Sequence, residues 1–325
     1  MLRSMQDLTQ YAIGASDGPV GKVKDVFFDD EAWVIRYLVV ETGSWLESRK
    51  VLISPMSIRQ PDWIGKLLPV AITRAQVANS PDVDTDKPVA RQHEIDYLGY
   101  YGYPYYWGGE GLWGEGMSPY GLLPPDLGIG AGRAERRRGE EAAARAQREH
   151  ERNDDPHLRS GLVVIAYHVH ASDGEIGHVS DLLVDEATWA IRYLVVDTSN
   201  WWFGHKVLIA PPWISGVHWP DQSVSVALTR EAVKNAPAYE STAELNRQRE
   251  ETLYAHYGRS GYWAGGAPLE PLPCRLEGRK NPVAVQASGP PSLPPKRLRR
   301  RSTSSSRMAT VSSSPRASTA RVRTL

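Results

Sequence analysis

At 325 residues, with 38 lysines and arginines against 38 aspartates and glutamates, the chain has zero formal net charge at pH 7 and room for two modest domains plus linkers. Its single cysteine, Cys274, excludes an intrachain disulfide and a cysteine-based zinc cluster, in keeping with a reducing compartment. MLRSMQDLTQYAIG lacks a signal-peptide core and no window approaches about 18 uninterrupted apolar residues, so a soluble cytoplasmic protein is expected.

The segment Asp17 to Ile58 matches Asp173 to Ile214 without a gap, at a constant offset of 156 and with 21 identities in 42 pairs. Such self-similarity marks a duplicated structural unit. Each copy opens with a short β-prone run, Tyr11 to Ser16 and Tyr167 to Ser172, followed by Asp-Gly at 17 and 18 or 173 and 174, a hairpin signal. A second strand follows over Gly21 to Asp29 and Gly177 to Asp185. The third, IRYLVV at 35–40 and 191–196, is almost continuously apolar, which predicts burial on both faces or barrel closure in place of an open half-wet sheet. Arg36 and Arg192 interrupt it once each, and a charge there needs a partner or a path to water. The partner expected for Arg36 is Asp25 or Asp29, and for Arg192 it is Asp181 or Asp185.

A fourth strand, Lys50 to Ser54 and Lys206 to Ala210, stops at Pro55 and Pro211, which have no amide to give to a ladder. A fifth, Leu68 to Ile72 and Val224 to Leu228, leads to Thr73 or Thr229, each the N-cap of a short helix ending near Asn79 or Asn235. Five short strands with tight turns predict a mainly β fold: two tandem small barrels with peripheral helices.

The pattern DGxxGxVxDhhhDxxxWxIRYLVV followed by KVLIxP resembles the PRC-barrel, carried here by Gly21, Asp25, Asp29 and Pro55 and by Gly177, Asp181, Asp185 and Pro211. The resemblance covers about 5–83 and 161–239. It implies the barrel fold, with these residues and Arg36 and Arg192 as fold determinants, and it leaves the role open. The module also occurs in the cytoplasmic part of the photosynthetic reaction-centre H subunit and in a bacterial ribosome-maturation factor. The resemblance therefore keeps two rivals beside a protein-interaction scaffold: a ribosome- or RNA-associated factor, and a peripheral part of a photosynthetic or electron-transport complex.

The organisation expected is a first PRC-barrel over 1–85, an aromatic and glycine-rich extension over 86–130, a charged helical linker over 131–158, a second barrel over 159–241 and a shorter aromatic extension over 242–266. A disordered tail would fill 267–325. From Pro290 onward there are nine basic residues and no acidic ones, so the tail could attract nucleic acid or acidic lipid. The two copies are expected to pair as an internal pseudo-dimer.

The acidic groups Asp25, Asp29, Asp30, Glu31, Asp181, Asp185 and Glu186 read as carboxylates that cap turns and strand edges. His168 and His170 share a strand face, yet the first copy has Ala12 and Gly14 there, and no further ligand stands at a suitable spacing. No nucleophile arrangement or phosphate-cradling loop occurs in a suitable context, so no catalysis, cofactor or metal is expected. Candidate partner contacts are the aromatics of the most divergent loop, Trp45, Trp201, Trp202 and Phe203, and those of the extensions, Tyr106, Trp107, Tyr262 and Trp263. The extension rings either cover a barrel or form an exposed contact surface.

Overall fold

The computed structural model describes residues 1–81, 89, 91–107, 109–120, 157–199 and 205–264. The loop aromatics Trp201, Trp202 and Phe203, the charged linker as far as residue 156 and the basic tail lie outside the described residues. The first copy runs β1 (Leu2–Ser4), α1 (Met5–Leu8), β2 (Ala12–Ala15), β3 (Gly18–Asp29), β4 (Val34–Thr42), β5 (Lys50–Ile53), β6 (Leu67–Pro69), α2 (Arg74–Ala78) and α3 (Arg91–Tyr101). The second runs β7 (Leu158–Ser160), α4 (Gly161–Val164), β8 (His168–Ala171), β9 (Gly174–Asp185), β10 (Ile191–Asp197), β11 (Lys206–Ile209), β12 (Ile214–His218), β13 (Ser223–Val226), α5 (Arg230–Lys234) and α6 (Arg247–His256).

The fold is mainly β, with strand order β5-β4-β3-β2-β6 in one sheet and β11-β10-β9-β8-β13-β12 in the other. β4 is buried on both faces from Val34 to Val40, as its apolar run requires. The first hairpin turns one residue earlier than expected, at Ser16-Asp17 and Ser172-Asp173, because Ala15 pairs with Gly18 and Ala171 with Gly174. The turn aspartates then reach the helices: Asp17 Oδ1 accepts the Arg74 N–H and Asp173 Oδ1 the Arg230 N–H, both at 2.7 Å. A Cβ on Gly21 or Gly177 would stand 2.0 Å from the carbonyl oxygen of Glu41 or Asp197, so only glycine lets the neighbouring strand pass that closely.

Closed barrels were expected, and among the described residues no ladder joins the outermost strands of either sheet. The reason lies at Pro55 and Pro211. Each opens a one-turn 3-10 helix, Pro55–Ser57 or Pro211–Trp213, and β11 passes into β12 through this corner without pairing to it.

The lead-in strands are exchanged between the copies. β1 pairs with β9 of the second copy, Leu2 opposite Asp185 and Ser4 opposite Leu183, while β7 pairs with β3 of the first, Leu158 opposite Asp29 and Ser160 opposite Phe27. Leu158 was read as the end of the linker; it is the first residue of a sheet strand, with His157 buried before it. Between the sheets the Ile35 N–H donates to the Trp189 carbonyl at 2.9 Å, and the Ile191 N–H to the Trp33 carbonyl at 2.7 Å. Trp33 and Trp189 hold φ of 53° and 59° to present those carbonyls, a left-handed conformation that costs a bulky residue about 1–2 kcal/mol. Beside this seam Met5 is fully buried against Gly161, its own equivalent at the 156-residue offset: a Cβ on Gly161 would stand 2.5 Å from the Met5 Sδ.

The aromatic extensions build no core of their own and instead add a layer to each sheet. In α3, Glu94, Tyr97, Leu98 and Tyr101 fall at i, i+3, i+4 and i+7 and are all buried; Glu250, Leu253 and Tyr254 repeat the stripe in α6. Each helix ends with a chain reversal in which the Tyr103 N–H returns to the Leu98 carbonyl, or the Arg259 N–H to that of Tyr254.

Candidate functional site

The buried polar chemistry gathers in two equivalent clusters where the extensions meet the sheets. In the first copy Arg36, 3 % exposed, places Nη2 at 3.2 Å from Asp29 Oδ2 and donates from Nη1 to the Leu112 carbonyl at 2.5 Å. Its guanidinium lies 3.8 Å from the centre of the Tyr106 ring and 4.9 Å from that of Trp113, a stacked geometry that a desolvated cation favours. The Tyr106 hydroxyl donates to Glu94, whose other oxygen meets His157 Nε2. Burial, and next the charge of Glu94, drive the Tyr37 hydroxyl well above the usual tyrosine range.

In the second copy Glu250 accepts from the hydroxyls of Tyr193 at 2.8 Å and Tyr262 at 2.9 Å and meets Arg247 at 3.0 Å. Arg192 stacks 4.2 Å from the Tyr262 ring and lies 3.7 Å from Asp185. Burial, reinforced by Glu250, pushes Tyr262 up to about 12. Each cluster thus pins an extension aromatic to a strand arginine and a helix glutamate.

Asp25 and Asp181 do something else. The Ser160 hydroxyl and the Leu162 N–H donate to Asp25, and the Ser4 hydroxyl and the Gln6 N–H to Asp181, so each aspartate clasps the strand that arrives from the other copy. Of the two partners expected for each strand arginine, Asp29 and Asp185 are the ones found. The same carboxylates cap the turns that follow, Asp29 Oδ1 accepting from the Glu31 and Ala32 amides and Asp185 Oδ1 from those of Ala187 and Thr188. Arg3 pairs with Glu186 at 2.5 Å and Arg159 with Asp30 at 2.8 Å, again across the seam.

Burial raises the carboxyls of Asp25 and Asp181, and it pushes Asp30 up to about 6 against the opposing pull of Arg159. A carboxyl raised on folding binds its proton more tightly in the folded chain, so its contribution to stability is full below the unfolded value near 3.9 and is lost as pH rises through the folded one. Chemical denaturation from pH 4 to 7 should therefore show Asp30→Asn gaining stability relative to the wild type as pH rises toward 7. A constant difference between the two across that range would contradict the raised Asp30.

Beyond Tyr106 the first extension crosses the seam as a strap over residues 109–120. Trp113 Nε1 donates to the Thr188 carbonyl at 2.8 Å, Ser118 Oγ to that of Ala187 at 2.7 Å and Tyr120 Oη to that of Glu186 at 3.0 Å, while Trp189 Nε1 donates to Tyr120 Oη at 2.8 Å. Gly114 makes the strap's reversal at φ 77°. None of these contacts was legible as an interaction in the sequence, although WGEGMSPY stood out by composition.

The expected contact residues separate accordingly. Tyr106 is buried and serves the interior, a correction to its place among surface contacts. Trp107, Tyr262 and Trp263 are half-buried on the core, Trp263 beneath the Arg247 guanidinium. Trp45 donates its indole N–H to the Val20 carbonyl at 2.6 Å and carries Arg74 over its ring, so it closes its own loop.

No metal-capable group of three His, Cys, Asp or Glu occurs among the described residues, and no described helix is long and apolar enough to cross a membrane. The architecture defines a class: a β-sheet protein whose two equivalent halves trade lead-in strands and whose buried ionic groups hold segments together. Residues 11–66 match the family model of the PRC-barrel domain, and the chain carries that domain in its first copy. No curated protein matches the chain.

Proposed function

We propose that the chain is a non-enzymatic scaffold that binds a protein partner. The PRC-barrel domain suggests a protein-interaction module, and one asymmetry supports a docking role. At α4, Leu162 and Val163 are 46 % and 53 % exposed, where the equivalent α1 carries Gln6 and Asp7. Two adjacent exposed aliphatic residues on one copy alone add nothing to the shared fold and suit a contact surface. Cross-linked capture with the full chain should recover a stoichiometric protein that the Leu162→Asp/Val163→Asp variant loses. Recovery of nothing above the bait-free control would end the scaffold reading, and salt-sensitive recovery of ribosomal subunits would replace it with the ribosome-associated one.

A further inference from the structure

We infer that β12, the outermost strand of the second copy, is the surface through which two chains pair edge to edge as a two-fold dimer. The dimer is independent of the scaffold reading, because it uses neither α4 nor a foreign partner. An uncovered strand edge offers unpaired N–H and C=O groups to any other strand, and natural sheets blunt such edges with charges, proline or a covering segment.

The two sheets end in four strands, β5, β6, β11 and β12, and the first three are covered. The Tyr97 hydroxyl donates to the Leu52 carbonyl at 2.9 Å and accepts the Ser54 N–H at 3.3 Å, which closes off β5. The Tyr239 N–H donates to the Lys206 carbonyl of β11 at 2.7 Å. On β6, Asp62 and Leu67 exchange backbone hydrogen bonds at 2.8 and 3.0 Å, and the Arg59 N–H donates to the Pro69 carbonyl at 2.9 Å. Residues 58–62 therefore form the outer margin of the first sheet, and they carry Arg59 and Pro61. β12 is their equivalent at the 156-residue offset, with Ser215 in place of Arg59 and Val217 in place of Pro61. It pairs with β13 on one side, and among the described residues no strand pairs with the other.

The register identifies the open groups. In an antiparallel ladder hydrogen-bonded and non-hydrogen-bonded pairs alternate, so the Asp62–Leu67 exchange turns the backbone of the neighbouring Pro61 away from the sheet. His218 opposite Ser223 is the matching pair in the second copy, and Val217, opposite Val224, then aims its N–H and carbonyl outward. Proline at 61 removes that donor, whereas valine at 217 keeps it. A two-fold axis at Val217 lets two chains exchange these bonds, sets valine beside valine and places Gly216 opposite His218. His218, the one ionisable residue of β12, then faces a glycine and no like charge. The space there is open, since a Cβ on Gly216 would meet no atom within 4 Å. β12 is complementary to itself, which selects a second chain as its occupant.

Sedimentation velocity of the full chain should show a concentration-dependent passage from monomer to dimer. Val217→Pro, which installs the first copy's residue, should weaken dimerisation by about tenfold or more through the two lost hydrogen bonds. Ser215→Arg should weaken it through charge, and it keeps the edge testable if the proline variant does not fold. The register is read separately with Gly216→Cys/His218→Cys in a Cys274→Ser background. Mild oxidation should link two chains, because a non-hydrogen-bonded pair brings its Cα atoms to about 4.5 Å, within disulfide reach. A wild type that stays monomeric, a dimer indifferent to both Val217→Pro and Ser215→Arg, or a dimer that forms no such disulfide would overturn the pairing. A monomeric chain that captures a protein which Val217→Pro releases would also overturn it and assign the edge to a foreign strand.

Discussion

Arg36→Ala is expected to lower the unfolding free energy by about 3–5 kcal/mol, the range for deleting one member of a buried ion pair. The guanidinium is the hub of the first cluster: it faces Asp29, holds the Leu112 carbonyl and stacks on Tyr106 and Trp113. Its removal takes the counter-charge from a buried carboxylate and also releases the start of the strap. Arg192→Ala should cost clearly less, since Arg192 stands 3.7 Å from Asp185 and its side chain is 11 % exposed against 3 % for Arg36. Urea denaturation of both variants checks the order. A cost below about 0.5 kcal/mol for Arg36→Ala, the scale of an ordinary surface change, would remove Arg36 from the centre of the network.

The second large effect is expected at the seam, where Met5 packs against Gly161. Gly161→Met puts a second long side chain into space that Met5 fills, and overpacking of this kind costs about 1–3 kcal/mol or more. Met5→Gly opens a cavity and loosens the first turn of α1, with a cost of about 3–5 kcal/mol. The double variant Met5→Gly/Gly161→Met moves the side chain to the other side of the pseudo-two-fold and should recover most of the summed loss. A double-mutant cycle by denaturation measures this coupling. Additive losses would show that the two positions do not share one packing site, and the seam would then lack the steric match that distinguishes one copy from the other.

Both variants probe features with different visibility in the primary structure. Arg36 was conspicuous because a charge in an otherwise apolar strand demands a partner, and Asp29 lay close enough in the same copy to be one of two candidates. Asp25 was the other, and its role was hidden: its partner, Ser160, lies 135 residues away and is reached only by strand exchange. The signal existed all the same. LRS stands at 2–4 and again at 158–160, at the repeat offset, just outside the 5–83 and 161–239 covered by the PRC-barrel resemblance. The helical stripe of α3 was equally available as Glu94, Tyr97, Leu98 and Tyr101, but the surrounding tyrosines and glycines obscured its period.

What the amino-acid sequence determined by itself is local: the duplication, the strands with their period and turn residues, the glycine at each close strand crossing, the prolines that end ladders and the threonine caps of α2 and α5. Such features depend on backbone sterics and on neighbours a few residues away, so they can be read one residue type at a time. Tertiary structure alone decided which sheet each lead-in strand joins, how the ladders among the described residues end at the proline corners, and where the extension aromatics and the strap come to rest. Those choices depend on burying surface and satisfying polar groups between segments more than a hundred residues apart, and local propensity is silent about such pairings.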